Sequence, residues 1–269
     1  MASLPEVSSP AAATASGRAP APLLSVRELT KSFGDFEVLR GVTFDLRRGE
    51  SLVILGRSGT GKSVTLKLLN GLDAADSGSI RFDGVELTEL AERELYPHRR
   101  RMAMLFQSGA LFDSLDVFDN VAFPLREHTD LMPDEIAEVV RRKLDLVRLS
   151  GVEEKMPSDL SGGMKKRVAL ARSLALDPEL VLYDEPTTGL DPVTSAVIAE
   201  LIERGSEELQ ASAIVVTHDL PLARSVGDRV AFLYRGRFRF LGTWRQAEQS
   251  DDRLFTGFLD GRPDFDDGE

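Results

Sequence analysis

The eight residues Gly56-Arg57-Ser58-Gly59-Thr60-Gly61-Lys62-Ser63 satisfy the spacing G-x-x-x-x-G-K-[ST]. They follow an apolar run, Ser51 to Leu55, and precede a helical run, Val64 to Asn70, which is the strand-to-helix setting in which that spacing has a mechanism. Glycines let the backbone curl until successive N–H groups point inward, and the helix start adds unpaired donors and partial positive charge. Such a loop captures phosphate oxygens. In this reading the stretch from Gly56 to Val64 cradles a nucleotide, Lys62 reaches the β- and γ-phosphates, and the Ser63 hydroxyl supplies one corner of a magnesium shell.

About 120 residues further on, the apolar run Leu180 to Tyr183 ends in two adjacent carboxylates, Asp184 and Glu185. Asp184 suits magnesium, a hard cation held by one or two carboxylates together with nucleotide phosphates. Glu185 is the candidate to orient and deprotonate an attacking water. On its own this pair is an ordinary solvated strand end; the glycine loop upstream gives it meaning.

The elements that must position these groups alternate short β-rich runs with helical ones, which predicts an α/β architecture. Strands are expected at Leu24 to Leu29, Val42 to Leu46, Ser51 to Leu55, Arg101 to Phe106, Leu180 to Tyr183, Ala213 to Thr217 and Val230 to Tyr234. Helical periodicity is clearest between Pro133 and Leu149, where Ile136, Val140, Leu144 and Val147 share a face. A second stripe, Val193, Val197, Leu201 and Ile202, follows Pro192, a residue suited to a first helical turn. Residues 1–22, rich in Ala, Ser and Pro, read as a disordered leader without the basic and apolar segments of a secretory signal.

Composition narrows the classes. Against 33 basic residues stand 44 acidic ones, a net charge of −11 over 269 residues, which disfavours a nonspecific nucleic-acid binder. No run approaches the roughly 18 consecutive apolar residues of a membrane span, so any membrane role is expected to be peripheral. The absence of cysteine removes disulfides, thiolate nucleophiles and Cys-ligated zinc. His98, His128 and His218 are too scattered for a metal cluster.

Leu160-Ser161-Gly162-Gly163-Met164 opens a helical run from Lys165 to Leu174. Small residues at a second helix N-terminus allow backbone and Ser161 donors to approach a phosphate closely. Here the chain resembles the ATP-binding cassette (ABC) ATPases, and the resemblance runs from Leu23 to about Gly242. It implies a P-loop NTPase fold: a RecA-like mixed sheet core, an antiparallel β subdomain and a helical subdomain inserted at about 108–175. The domain would span 23–262, with an acidic tail over 263–269. The resemblance further implies that Phe33 stacks on adenine and that Gln107 touches magnesium or water and reports nucleotide state to the helical subdomain. Asp191 takes the D-loop position, and His218 contacts the γ-phosphate. Glu185, His218, Lys62 and Gln107 thus form the expected catalytic set, and Ser63, Gln107 and Asp184 the expected magnesium set. Phe33, Ser161, Gly162, Gly163 and Asp191 join the glycine loop in holding ATP.

One glycine loop and one signature make half a machine. In the resembling family each nucleotide is closed between the loop of one subunit and the signature of the other, so a two-fold homodimer is expected. The 52 residues between Gln107 and Leu160 fit a helical subdomain that docks on an integral membrane permease. Leu111, Phe112, Val117, Phe118, Val121 and Phe123 are candidates for the docking groove, with core packing of that subdomain the ordinary alternative. Within the superfamily, Phe106 to Leu115, Val117 to Leu125, Met164, Gly189 and the ending Phe258 to Asp264 resemble the ATPases of the Mla and Mce lipid-transport systems. This resemblance implies an ATPase on the cytoplasmic face of a bacterial inner membrane, serving phospholipid transport with a permease, Mce-domain lipid-binding proteins and small accessory subunits. The main rival is the ATPase of an amino-acid or osmolyte importer. A non-transport cassette of DNA repair or translation lacks room here for a second cassette or a long coiled coil. A non-hydrolysing module would be expected to have lost Glu185. The basic runs His98 to Arg101 and Arg141 to Lys143 read as solvated helical faces.

Overall fold

The structure is a computed structural model that describes residues 21–262. The tail at 263–269 and all but the last two residues of the expected leader lie outside the described residues.

The chain opens with β1 (Leu24–Phe33) and β2 (Phe36–Leu46), then β3 (Ser51–Leu55) and α1 (Lys62–Leu69). Next come β4 (Ser77–Phe82), β5 (Val85–Glu86), α2 (Glu92–Arg99) and β6 (Met102–Leu105). The helices α3 (Val117–His128), α4 (Pro133–Leu146) and α5 (Gly162–Ser173) follow. The chain then alternates through β7 (Leu180–Asp184), α6 (Pro192–Leu209), β8 (Ser212–Thr217), α7 (Leu220–Val226) and β9 (Arg229–Tyr234). It closes with β10 (Arg237–Thr243), α8 (Trp244–Glu248) and α9 (Arg253–Leu259).

Two sheets result. The core sheet runs in the order β10-β9-β3-β8-β7-β6, parallel except for the β9–β10 hairpin. The other is antiparallel, in the order β2-β1-β4-β5. β3 is apolar from Leu52 to Leu55 because both of its faces are covered there. Val53 and Leu55 pack with α3 to α7, whereas Leu52 and Ile54 pack with α1 and the antiparallel sheet. All four are fully buried, at about 1.5–3 kcal/mol each. Register then does the positioning: Leu55 lies opposite Thr217, and Asp184 opposite Val216, so the C-terminal ends of β3, β7 and β8 come level.

The structure departs from the sequence expectations in several places, β5 and β10 among them. β1 runs on to Phe33 through a bulge between Val26 and Leu29, where Glu28 takes φ 46°. Opposite it Gly78 lies so close that a Cβ would stand 2.6 Å from the Glu28 carbonyl. β4 went unforeseen because only Ile80 and Phe82 are apolar in its six residues. The basic runs are solvated only in part: Arg100, Arg141 and Arg142 are exposed, but Lys143 is buried and ion-paired with Asp177, and Arg101 bridges Asp83 and Glu179 at 2.6 Å each.

Candidate active site

The glycine loop joins β3 to α1 and is shaped by two close approaches. A Cβ at Gly56 would meet the Leu233 carbonyl oxygen of β9 at 2.6 Å, and one at Gly61, where φ is 102°, would meet Leu39 at 2.8 Å. Only glycine fits these positions. Thr60 Oγ1 donates to the Arg57 carbonyl at 2.9 Å, and Thr65 Oγ1 to the Gly61 carbonyl at 3.0 Å, so the turn is braced from within. Lys62 Nζ donates to the carbonyls of Gly56 (2.8 Å) and Arg57 (3.1 Å) and lies 3.3 Å from Glu185 Oε1.

Beside it Ser63 Oγ donates to Asp184 Oδ1 at 2.7 Å. Burial pushes the Asp184 carboxyl above the usual carboxylate range; the Ser63 hydrogen bond opposes this and the neighbouring Glu185 charge adds to it. Among the described residues no three His, Asp or Glu side chains are grouped to hold a metal. A site with one carboxylate and one hydroxyl is what magnesium needs when nucleotide phosphates and water complete its shell. Adjacent corners of a magnesium octahedron lie about 2.9 Å apart, close to the Ser63–Asp184 separation, so the donor pair fits the ion.

Glu185 follows β7 with φ 46°, a left-handed conformation uncommon outside glycine. Its backbone N–H donates to the Val216 carbonyl at 2.9 Å. Its Oε2 accepts from Thr217 Oγ1 (3.3 Å), the His218 backbone N–H (3.4 Å) and Thr188 Oγ1 (3.5 Å), and lies 2.9 Å from His218 Nδ1. Facing a carboxylate, Nδ1 is the nitrogen that carries the proton. The carboxylate is buried and the histidine ring is exposed.

The structure thus brings Lys62, Ser63, Asp184, Glu185 and His218 into one connected group. The carbonyls of Gly56 and Arg57 join this group through Lys62, whereas Phe33, Gln107, Ser161 and Asp191 make no hydrogen bond or ion pair with it. Phe33 is 52% exposed in the β1–β2 hairpin, with Lys31 Nζ 5.0 Å from its ring centroid. Gln107 is exposed after β6. Ser161 caps α5, accepting from the Met164 N–H at 3.3 Å. Asp191 caps α6, accepting from the Val193 and Thr194 N–H groups at 3.0 Å each. The starts of α5 and α6 touch, since a Cβ at Gly163 would stand 2.6 Å from Thr194 Cγ2. Sequence reasoning missed Thr188 and Thr217, which hold Glu185, and the Thr187–Asp219 hydrogen bond of 2.9 Å between their loops. The signal was adjacency: two threonines just past Glu185 and one just before His218.

A glycine cradle, a carboxylate–hydroxyl pair and a buried glutamate at the C-terminal edge of a parallel sheet define a P-loop nucleotide hydrolase. The chain matches the ABC transporter family over residues 39–188 and belongs to that family, as an ATP-hydrolysing, nucleotide-binding subunit. It is 46% identical over 239 residues to the probable ribonucleotide transport ATP-binding protein mkl of Mycobacterium leprae, covering 89% of this chain and 69% of that protein. It is 44% identical over 242 residues to the intermembrane phospholipid transport system ATP-binding protein MlaF of Haemophilus influenzae, covering 90% and 92%. Among solved structures, cbiO1 of Clostridium perfringens, part of an ABC transporter complex, superposes with TM-score 0.78 at 30% identity, covering 88% of this chain and 95% of that one. A dimeric ATP-binding cassette in a post-hydrolysis state with ADP and Pi gives TM-score 0.76 at 31% identity, covering 82% and 98%.

Proposed function

We propose that this chain works as a homodimer beneath a bacterial inner-membrane permease and that the cycle it drives moves phospholipid. The observation that carries this reading is the similarity to MlaF, which extends over about nine-tenths of both chains. The match to mkl, whose name points to ribonucleotides, leaves about a third of that relative uncovered and supports a second reading with nucleotide cargo.

In the proposed mechanism ATP phosphates enter the loop and take over the Lys62 ammonium from the Gly56 and Arg57 carbonyls. Ser63, Asp184 and Gln107 would hold Mg²⁺, which neutralises charge on the phosphates. Glu185 orients a water and accepts its proton as the water oxygen bonds the γ-phosphorus and the bond to the β–γ bridging oxygen breaks, giving ADP and phosphate. His218 steadies Glu185 and faces the γ-phosphate, and Phe33 offers its exposed ring to adenine. Ser161, Gly162 and Gly163, with Asp191 behind them, close the site from the second copy, which explains why these groups lie outside the connected group within one chain.

The permease would dock where Phe112 and Phe123, 41% and 38% exposed, pack as a tilted pair at 4.7 Å between ring centroids beside Met104 and Tyr96. Val117 and Val121, by contrast, are core residues. Mce-domain and small accessory proteins complete the proposed assembly. Two experiments test the reading. A Glu185→Gln variant should elute as a dimer with ATP and Mg²⁺ and as a monomer without nucleotide; a monomer in both removes the composite site. Tagged chain purified from detergent-solubilised membranes should bring a permease and bound phospholipid, and recovery of a permease that binds nucleotides would replace the cargo assignment.

A further inference from the structure

Helix α5, capped by Ser161, carries two cations that reach across to Gln107 and the segment after it. Lys166 Nζ donates to the Gln107 carbonyl. Arg172 Nη2 donates to the carbonyls of Gly109 and Ala110 at 2.9 Å each. Lys166, Ala169 and Arg172 stand three residues apart and share one helical face. Gly109 lies against that face, where a Cβ would stand 3.3 Å from Ala169 Cβ. The segment turns here through two left-handed residues, Gly109 at φ 78° and Ala110 at φ 46°, a conformation that needs outside support at the alanine. Internally it has the Gly109 N–H to Phe106 carbonyl bond of 2.8 Å. Its far end is fixed by buried Asn120, which accepts from the Phe112 N–H and donates to the carbonyls of Phe112, Leu115 and Asp116.

Both cations are set apart from ordinary surface charges. Lys166 is 7% exposed. Burial pushes its ammonium below the usual lysine range, and the Asp184 and Glu185 charges oppose that shift. The Arg172 guanidinium lies 5.4 Å from the centroid of Phe112, the aromatic proposed to meet the permease.

We propose that Lys166 and Arg172 are positioning residues, a two-cation clamp through which the signature helix sets the placement of Gln107 in its own subunit. Charge-assisted bonds to three carbonyls make the segment move with α5 rather than with β6. One rigid helix then joins three places: the Ser161 end that meets the second copy's nucleotide, the Gln107 loop of its own site, and the Phe112 edge of the docking groove.

The inference rests on the role given to Gln107, and the test separates the two. In the full chain, Lys166→Met should lower kcat for ATP hydrolysis roughly 10-fold while KM stays within about twofold, because placement at the reacting end is lost and nucleotide grip is not. Amide exchange over 107–112 should speed up about 10-fold, with β7 unchanged. Lys166→Arg, which keeps a cationic donor, should restore both; Arg172→Lys should loosen exchange at 109–112 and serves if Lys166→Met does not fold. Wild-type exchange in the folded Lys166→Met and Arg172→Lys proteins overturns the clamp. A fall in kcat that Lys166→Arg does not rescue, accompanied by equal loss of ATP affinity, makes Lys166 merely structural and overturns it too. Full turnover by Gln107→Ala sinks the role of Gln107 and the kinetic half of the proposal, leaving exchange to decide the mechanical half.

Discussion

The two ends of the core sheet both gather charge, and they treat it in opposite ways. At the C-terminal end Lys62, Asp184 and Glu185 are each less than a tenth exposed, and burial works against the ionised form of Asp184. At the N-terminal end Arg48, Asp83, Arg101 and Glu179 form a closed ring in which every member has two partners of opposite sign. There the Arg101 hydrogen bonds hold the Asp83 and Glu179 carboxyls below their usual range, and the Glu179 bond raises Arg101. The side chains of that ring are a third to a half exposed, so water shares in solvating them. The far ring tethers the antiparallel sheet, through Asp83, to β6 and β7. Its charges are satisfied by one another, whereas those of the site lie where the proposed nucleotide and its metal would bind. Concavity alone misleads: a cleft of about 1000 Å³ opens at the far end, lined by Glu179, Glu203 and Asp228.

Three substitutions break or sharpen this contrast. Glu185→Gln should cut ATP turnover by roughly 10³-fold while ATP affinity holds within a fewfold, since only the proton acceptor is lost; single-turnover hydrolysis and nucleotide titration check it. Asp184→Asn should lower kcat/KM about 100-fold yet raise the melting temperature of the nucleotide-free protein at pH 7 by about 2–4 °C. The sign follows from the raised carboxyl: a protonated Asp184 favours the fold, that contribution is complete below the unfolded value of 3.8, and it is lost as pH rises through the folded value. The gain of the variant should therefore vanish when melting is measured below about pH 4. At the far end Glu179→Gln should do the reverse. It removes two partly exposed ion pairs, costs about 1 kcal/mol or 2–4 °C in melting temperature, and leaves KM and kcat within twofold. Equal kinetic damage from both ends would erase the distinction.

How much of this was legible in sequence follows from how local each constraint is. The glycine loop was, because its close approaches to Leu233 and Leu39 admit no side chain and so fix residue types at fixed spacing. Buried strands were legible as continuous apolar runs, and β3, β7 and β8 fall where expected. The antiparallel sheet was only half legible: β4 and β10 are one-faced strands with few apolar residues, and the bulge at Glu28 breaks the alternation of β1. At the site, Asp184, Glu185 and His218 stood out beside the loop, but Thr217 did not, since its partner is set by register between distant strands, and Thr188 did not, since its bond depends on the turn after β7. Lys166 and Lys143 were hidden for the same reason. Each sits in a basic run and is buried by a neighbouring element, which charge patterning along one helix does not reveal.

The left-handed backbone at Glu185 also bears on engineering. Glycine or asparagine would sit there with less torsional cost, so a library ranked by heat tolerance alone would enrich them and discard the glutamate. Any thermostabilisation of this chain therefore needs a turnover screen in parallel, or its most robust winners would bind ATP and never release phosphate.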